Sequence, residues 1–422
     1  MQYTLEYALK CDQQDEIASF RERFHIPLVN GKEALYFTGN SLGLQPKTTV
    51  QYLQQELNDW STYGVEGHFK AKNPWVSYHK ILSKPFSNLV GANVEEVVAM
   101  NGLSVNLHLM MVSFYQPKGK RTKILCESKA FPSDQYMLES QVKFHGLIPE
   151  ETIVEVCPPE GQHLIKEEDI ISKIRELGDE LALVFWGGVN YYSGQVFDIE
   201  AITKEAHKVG SLAGFDLAHG VGNIELKLNQ WQVDFACWCS YKYLNSGPGS
   251  VAGVFVHQKH ENNSQLARFA GWWGHDEQRR FLMEKDFSPM KGAQGWQLSN
   301  AAVFSMAPCK ASMDIFDEIG MPKLIAKSRK LTQFLEFVFN QISAKYDHCN
   351  FEIITPKKDK YRGCQLSVLT HGKGKELFDF LTKEGVVADW REPNVIRLAP
   401  VPLYNSYKDI YQLGQLIEKA LL

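Results

Sequence analysis

The sequence has no excess of basic residues, no long apolar run and no leader-like start. Its 45 Lys and Arg face 49 Asp and Glu, a formal net charge of −4, so the charge balance gives no sign of a nucleic-acid partner. No apolar run approaches the roughly 20 residues of a membrane span. The charged N-terminal segment is also unlike a secretory signal. We therefore expect a cytoplasmic protein outside any membrane.

Cysteines are few and scattered, which is typical of free thiols in a large chain without a leader. They are Cys11, Cys126, Cys157, Cys237, Cys239, Cys309, Cys349 and Cys364. Cys237 and Cys239 lie in an apolar stretch, and no second Cys or His pair follows them at zinc spacing. We expect these two residues to pack in the core, and we predict no metal site.

The length and texture of the chain predict two domains. With 422 residues, 44% of them hydrophobic, it is too long for one small domain. From about residue 94 to 256, apolar strand-like runs alternate with helical patterns, which favours an α/β domain with a mostly parallel sheet. After residue 305 the pattern is that of a smaller α+β domain. We predict a large domain over 60–305 and a small domain over 1–59 and 306–422, because chain ends commonly meet in such folds.

Hydrophobic periodicity places individual elements. In the large domain, helices are predicted over 105–115, 133–145 and 199–209, the second with Ser133 as its N-cap. Strands are predicted over 122–126, 181–186, 212–215, 234–239 and 251–256. In the small domain, helices over 311–319 and 323–343 precede strands in FEIIT, CQLSVLT and VIRLA.

Three residues between Gly214 and Gly249 suggest the chemistry. Asp216 ends a buried strand, His219 follows in the loop, and Lys242 ends another apolar run. In open α/β sheets, ligands bind outside the carboxyl ends of the strands. Pyridoxal 5′-phosphate (PLP) needs a lysine for its aldehyde and an acid that keeps its pyridine nitrogen protonated. A helix-capping Asp216 and a surface Lys242 are the simpler alternative.

Two other segments offer partners for such a cofactor. Gly102-Leu103-Ser104 precedes a predicted helix, whose first N–H groups and the Ser104 hydroxyl suit a phosphate. Phe131 follows a predicted strand and suits stacking on a planar ring. An ordinary N-cap and a core phenylalanine are the alternatives.

The glycine-rich segment 245–250 does not predict a dinucleotide site. GPGSVA fits G-x-G-x-x-A, but that motif needs a strand before it and a helix after it. Here the strand-like VAGVFV follows. A nicotinamide-dependent dehydrogenase is therefore not favoured, and the glycines are expected to form a tight turn.

Taken together, these segments resemble the kynureninase family. The matching motifs are FDLAHGVGN, DFACWCSYKYLNSGPG, GWWGH, FPSD, NGLSVNLHLM and RLAPVPLYNS, spread over about residues 30 to 410. The resemblance implies the fold type I PLP-enzyme architecture, which is aspartate-aminotransferase-like, and a homodimer with active sites at the subunit interface. It implies hydrolysis of kynurenine or 3-hydroxykynurenine to anthranilate or 3-hydroxyanthranilate plus L-alanine. The expected setting is tryptophan degradation or NAD biosynthesis.

The resemblance also assigns roles within the cofactor site. Lys242 matches the lysine that binds PLP as a Schiff base, and Asp216 matches the acid on the pyridine nitrogen. His219 matches a cofactor-binding histidine. Leu103 and Ser104 match the pair on the phosphate side.

Further matches surround this group. Phe131 matches the aromatic that stacks on the ring, Asp134 a neighbouring cofactor contact, and Tyr241 a phosphate-binding tyrosine. Trp272 and Asn300 match residues that complete the cofactor and substrate site from the partner subunit. A purely structural role for Trp272 and helix capping by Asn300 are the alternatives.

Substrate binding is implied for Arg397 and His68. Arg397 matches the arginine expected to bind the substrate α-carboxylate through a bidentate contact. Pairing of Arg397 with a surface acid such as Glu392 is the alternative. His68 resembles a histidine near the aromatic ring of the substrate. Gly187 departs from the family pattern, since some relatives have serine there, and this puts one cofactor hydrogen bond in doubt.

The implied mechanism divides the proton transfers between two residues. Lys242, displaced by the substrate amine, moves the α-proton, and Tyr241 is a candidate for proton traffic at the later alanine-forming step. Donors near the γ-carbon should stabilise an oxyanion there, with His68 and Asn300 as candidates. Because both are polar and can bond a ring hydroxyl, we expect 3-hydroxykynurenine to be the better substrate, with kynurenine also accepted.

Two alternative functions remain open within the same fold. A cysteine desulfurase needs a mobile nucleophilic cysteine, and Cys364 precedes a strand-like run. A catalytically silent PLP-fold binding protein is the second, although an intact set of Lys242, Asp216 and Arg397 argues against it.

Overall fold

The computed structural model describes residues 1–261, 263, 266–346 and 351–422; Cys349 lies outside the described residues. In chain order, the α-helices described are α1 (Leu5–Gln13), α2 (Thr49–Tyr63), α3 (Gly67–Lys70), α4 (Ser83–Val90), α5 (Leu103–Phe114), α6 (Pro132–Phe144), α7 (Pro149–Thr152), α8 (Glu167–Leu177), α9 (Ile199–Lys208), α10 (Val303–Ile319), α11 (Met321–Lys345), α12 (Gly374–Lys383) and α13 (Tyr407–Leu421).

The described strands are β1 (Leu28–Val29), β2 (Lys32–Glu33), β3 (Leu35–Tyr36), β4 (Val97–Met100), β5 (Lys123–Glu127), β6 (Ile153–Val156), β7 (Leu181–Gly187), β8 (Leu212–Asp216), β9 (Phe235–Trp238), β10 (Ala252–Val256), β11 (Phe351–Ile353), β12 (Leu366–Thr370), β13 (Val386–Val387), β14 (Asp389–Arg391) and β15 (Val395–Leu398).

Seven of these strands form the large sheet, in the order β4-β10-β9-β8-β7-β5-β6. All run in one direction except β10, which is antiparallel to both neighbours. Successive side chains of a strand point to opposite faces, so Val184 and Trp186 join one apolar core while Leu183 and Phe185 join another. The predicted α/β class, with a mostly parallel sheet buried on both faces, is confirmed.

A four-stranded antiparallel sheet, β11-β12-β15-β14, forms a second layer with α11 and α13. The N-terminal segment contacts this part of the chain: β3 pairs in parallel with β13, and the Asp12 carboxylate accepts the backbone N–H of Tyr407 at 2.7 Å. The domain boundaries near residues 60 and 305 stay a prediction.

Some local predictions are wrong. Helix α6 begins at Pro132 with Phe131, not Ser133, at the N-cap position, because proline at the first helical position needs no N–H donor and has a suitable φ. Helix α10 begins at Val303 rather than near residue 311. The edge strands β4 and β6 were not predicted. The strand after the glycine-rich segment is confirmed as β10, and Gly247 and Gly249 before it have φ of 91° and 68°, values that glycine adopts without strain.

Within the described parts of the chain, no helix is both long enough and apolar enough to cross a membrane.

Candidate functional site

A cavity of about 330 Å³ lies at the carboxyl edge of the large sheet. The loops after β4, β5, β7, β8 and β9 line it, so residues distant in sequence meet there. Small-molecule sites typically occupy roughly 300–1,000 Å³. The predicted site residues that line this cavity are Leu103, Ser104, Phe131, Asp134, Asp216, His219, Tyr241 and Lys242.

Two carboxyl groups in the cavity share a proton. Asp216, at the end of β8, accepts the backbone N–H of Ala218 at 2.7 Å. Burial raises the pKa of Asp216, although the charge of Lys242, the Ala218 N–H and Asp134 all favour its ionised form. Burial and the Asp216 charge raise the pKa of Asp134 well above its usual range. Of this coupled pair, Asp134 is the one more readily protonated, and it donates to Asp216.

The amine of Lys242 lies beside a neutral histidine. Lys242 Nζ is 3.0 Å from His219 Nε2. Burial, followed by the charges of Lys242, Arg397 and Arg391, lowers the pKa of His219 well below its usual range. When Lys242 donates to Nε2, the proton of the neutral ring lies on Nδ1. This buried Nδ1 has no hydrogen-bond partner among the described residues, so it is a donor without an acceptor.

The cavity wall also includes a helix start and aromatic rings. Helix α5 begins at Leu103, and no side chain in the described chain caps its first N–H groups. Phe131 is 40% exposed, and its ring centroid is 5.7 Å from Lys242 Nζ and 5.3 Å from the ring of Tyr191. Burial raises the pKa of Tyr241, which keeps its phenol protonated.

These side chains fit PLP. The charged Asp216 suits a protonated pyridine nitrogen, and Lys242 supplies the amine for the aldehyde. The start of α5 suits a phosphate. The unpartnered Nδ1–H of His219 calls for an acceptor atom of a bound molecule, because a buried donor left unsatisfied is costly.

Arg397 lies beside this cavity, in β15, and is 1% exposed. Its Nη1 donates to the backbone carbonyl of Tyr191, a cavity residue, at 2.6 Å. Its Nη2 pairs with Asp389 on the neighbouring strand. Glu392, the acid named as an example in the alternative, instead accepts from Trp390 Nε1 at 2.9 Å, so Arg397 does pair with an acid, but that acid is Asp389.

Three other predicted residues do not line the cavity of this chain. Trp272 is 46% exposed, and Asn300 is exposed. Asn300 does not cap α10, whose N-cap residue is Ala302. His68 is half-buried, with Nδ1 2.9 Å from the Val65 carbonyl oxygen.

Sequence reasoning missed Glu127, which ends β5 and lines the cavity. Its Oε2 accepts from Asn190 at 2.8 Å, and burial raises the pKa of Glu127 to about 7. A Cβ atom on Gly187 would lie 2.6 Å from Glu127 Oε1, so this carboxyl fills the space beside the glycine. The signal was available: Glu127 follows a buried apolar run as Asp216 does, but the predicted strand ended one residue too early.

None of the described cysteines lines this cavity. Cys364 is 1% exposed, does not line the cavity, and burial raises the pKa of its thiol to about 12. The Cys364 thiol is therefore buried and protonated outside the cavity, unlike an exposed, ionised nucleophile. Cys237 and Cys239 are buried as expected, and the seven described cysteines are free. No group of three or more potential metal ligands occurs among the residues described.

Known proteins match along the whole chain. Residues 324–417 match the family described as kynureninase C-terminal domain. A kynureninase from Flavobacterium johnsoniae is 58% identical over 421 residues, covering 100% of this chain and 99% of that relative. A kynureninase from Nematostella vectensis is 46% identical, covering 98% of this chain and 93% of the relative.

Solved structures share the fold at low identity. The cysteine desulfurase of Thermococcus onnurineus matches with a TM-score of 0.76 and 17% identity, covering 95% of this chain and 97% of that one. A cysteine desulfurase from Escherichia coli gives 0.77 and 15%, covering 96% and 98%. A C-DES mutant with glycine covalently linked to its PLP cofactor gives 0.74 and 13%, covering 91% and 96%. At these identities the likeness shows the fold type I architecture alone.

Proposed function

Because this chain belongs to the kynureninase family and cleaves kynurenine with PLP as its cofactor, we propose that the cavity at the carboxyl edge of its large sheet is the catalytic site. The observation that carries this proposal is the meeting of an amine, a neutral imidazole and a proton-sharing carboxyl pair in one cavity. Titratable groups with shifted pKa values that cluster in a cavity are more readily explained by catalysis than by stabilisation of the fold.

When bound, PLP supplies an aldehyde for the substrate amine and a ring that accepts electrons. Asp216 keeps a proton on the ring nitrogen, and Asp134, itself protonated, holds Asp216 in place. Leu103, Ser104 and the start of α5 bind the phosphate. Phe131 packs against the ring.

Lys242 holds the cofactor and then carries the α-proton of the substrate as a general base. His219 stays neutral, so it accepts a hydrogen bond from Lys242 without competing for its proton. Tyr241 keeps its phenol proton and can deliver it to the alanine fragment. Arg397 binds the α-carboxylate and so orients the substrate.

The outer part of the site comes from a second copy of the chain. Trp272 and Asn300, on this chain's exposed surface, reach the partner's cavity in a homodimer. An exposed aromatic cluster supports such an interface: Phe281 lies 5.7 Å from Trp272 and 6.2 Å from Phe69 between ring centroids. Exposed apolar patches of this kind mark association surfaces.

His68 and Asn300 set the preference for the substrate ring. Both can hydrogen-bond a ring hydroxyl, and a site built for that bond discriminates against the analogue without it. The preferred substrate is therefore 3-hydroxykynurenine, with kynurenine also accepted. By resemblance to its family, the protein acts in the cytoplasm, in tryptophan degradation or NAD biosynthesis.

An assay with both substrates tests this assignment. The PLP-loaded protein is given kynurenine or 3-hydroxykynurenine, and the anthranilate and alanine are quantified by mass spectrometry. We expect both products in equal amounts and a higher kcat/KM for the hydroxylated substrate. Lys242→Ala should lower turnover by more than about 10³-fold, while Lys227→Ala, which removes a partly exposed lysine paired with Glu225 outside the cavity, should not. A higher kcat/KM for kynurenine would overturn the ring preference.

Mixing two inactive variants tests the shared site. Lys242→Ala is combined with a Trp272→Ala/Asn300→Ala double variant after mild dissociation and reassociation. Random pairing would give about a quarter of wild-type sites, because each mixed dimer contains one intact site. If mixing restores no activity although mass spectrometry detects mixed dimers, the outer residues do not act across an interface.

A further inference from the structure

Arg397 is a buried cation whose hydrogen-bonding capacity is only partly used. A guanidinium has five N–H donors. Among the described residues, Nη1 donates to the Tyr191 carbonyl and Nη2 to Asp389, while the buried Nε has no partner. With the side chain 1% exposed, water is a poor substitute. The unpartnered Nε therefore points to an acceptor on a bound molecule.

Asp389 is placed opposite Arg397 by the sheet itself. The two residues are direct partners in the antiparallel register of β14 and β15, where opposite charges stabilise each other. The same carboxylate also lies 3.1 Å from Arg391 Nε. One carboxylate thus serves two guanidiniums, and the triad keeps a net positive charge.

The triad lies against the cavity wall at Tyr191, and its three side chains are not among the residues that line the cavity. Tyr191, whose carbonyl holds Arg397, is part of the cavity wall. The charges of Arg397 and Arg391 both act on His219, another wall residue. Because Asp389 is divided between two arginines, it fixes the Arg397 guanidinium without neutralising it.

We propose that Asp389 is a positioning residue for substrate recognition: it and the Tyr191 carbonyl hold the Arg397 guanidinium in one orientation, with Nε left for the α-carboxylate of the amino-acid substrate. This inference rests on the proposed role of Arg397 and deepens it. Asp389 touches neither substrate nor cofactor. Its loss should therefore weaken substrate binding and leave the chemical step unchanged.

The test is the Asp389→Asn holoenzyme, which keeps the shape of the side chain and loses the charge. We expect KM for kynurenine to rise about tenfold, the effect of misplacing one charge-assisted hydrogen bond, with kcat within about twofold. Discrimination between kynurenine and its α-carboxamide should fall by a similar factor. Asp389→Glu should recover part of the loss. The visible cofactor absorbance and the melting temperature should match those of the wild type.

Two further variants separate the possible outcomes. Glu392→Gln, in the same segment but paired with Trp390, is the matched control and should leave KM unchanged. If Arg397→Lys leaves KM and carboxamide discrimination unchanged, the carboxylate role of Arg397 itself is wrong. If Arg397→Lys changes both while Asp389→Asn changes neither, only the inference about Asp389 is overturned.

If Asp389→Asn proves to be misfolded, the Arg391→Met variant is assayed in its place. That change leaves the whole Asp389 charge on Arg397, so carboxamide discrimination should again fall. Unchanged discrimination in this variant contradicts the proposal.

Discussion

Two buried aspartates, one at the carboxyl end and one at the amino end of neighbouring strands in the large sheet, differ in how many hydrogen-bonding and charged partners their carboxylates have. Asp216 ends β8, while Asp234 immediately precedes the parallel neighbour β9. Asp234 lies within 2.8 Å of three cationic or imidazole side chains and a backbone N–H: those of His207, His260 and Lys259, and the amide of Ala213. Asp216 accepts one backbone N–H, from Ala218, and a hydrogen bond from Asp134, and the charge of Lys242 acts on it.

The two buried aspartates therefore have pKa values shifted in opposite directions. Burial alone raises the pKa of either carboxyl, but at Asp234 the hydrogen bonds from His207 and His260 and the charge of Lys259 outweigh it and lower the pKa below its usual range. At Asp216 burial prevails and the pKa is raised. A carboxylate whose oxygens are fully hydrogen-bonded and ion-paired stabilises the fold. A buried carboxylate with fewer partners is suited to bind a cationic ligand. The contrast supports the proposal that the catalytic site lies at the carboxyl edge of the sheet, while Asp234 at the amino edge stabilises the fold.

The largest expected effect is on catalysis at Asp216. Asp216→Asn removes the charge that holds a proton on the cofactor ring, so turnover should fall by about 10²–10³-fold. The unfolding free energy of the apoprotein should not fall, because an unfavourably buried charge is removed. Steady-state kinetics with saturating PLP and denaturant titration of the apoprotein measure the two quantities. Near-normal turnover would show that Asp216 is no more catalytic than Asp234.

Asp234→Asn should give the reverse pattern. Loss of the charge among His207, His260 and Lys259 should cost about 4 kcal/mol of unfolding free energy, as for a broken buried ion pair, with kcat retained. Because the folded pKa of Asp234 lies below its unfolded value, its stabilisation is complete above about pH 4 and is lost as the pH falls further. The wild type should thus lose more stability in acid than the variant does. Equal acid sensitivity would contradict this account.

Glu127 is a second buried carboxyl at the carboxyl edge of the sheet, and it should make the stability of the apoprotein depend on pH. Its pKa is raised from about 4.5 to about 7 by burial, so the apoprotein gains stability from a protonated Glu127 below about pH 4.5 and loses it as the pH rises through 7. The loss should reach about 3 kcal/mol. Glu127→Gln should remove this slope, as measured by denaturant titration of the apoprotein between pH 4.5 and 8. A slope that persists in the variant would assign it to other groups.

The sequence could bring several cavity residues together because they follow the ends of buried strands. Asp216 and Lys242 follow continuous apolar runs, and in a parallel sheet the carboxyl ends of such strands meet at one edge. The Asp389–Arg397 pair was not predictable in the same way, because it depends on the register of two short antiparallel strands. Glu127 was missed through a one-residue error in a strand end, the least certain part of any assignment from periodicity.

The smallest expected effect concerns Gly187, which lies beside the Glu127 carboxyl. A Cβ at this position would meet Glu127 Oε1 at 2.6 Å, and the carboxyl must move away from Asn190, to which it is bonded at 2.8 Å. Gly187→Ala should therefore cost about 1 kcal/mol, one hydrogen bond, in the apoprotein. Gly220→Ala is the matched control, since its nearest contact would be an ordinary 3.5 Å. In a Gly187→Ala/Glu127→Asp double variant, the shorter acid should leave room for the new Cβ. The double variant should therefore lose less unfolding free energy than the sum of the losses in the two single variants. Strictly additive effects would mean that the glycine is required by the backbone or the cofactor and not by Glu127.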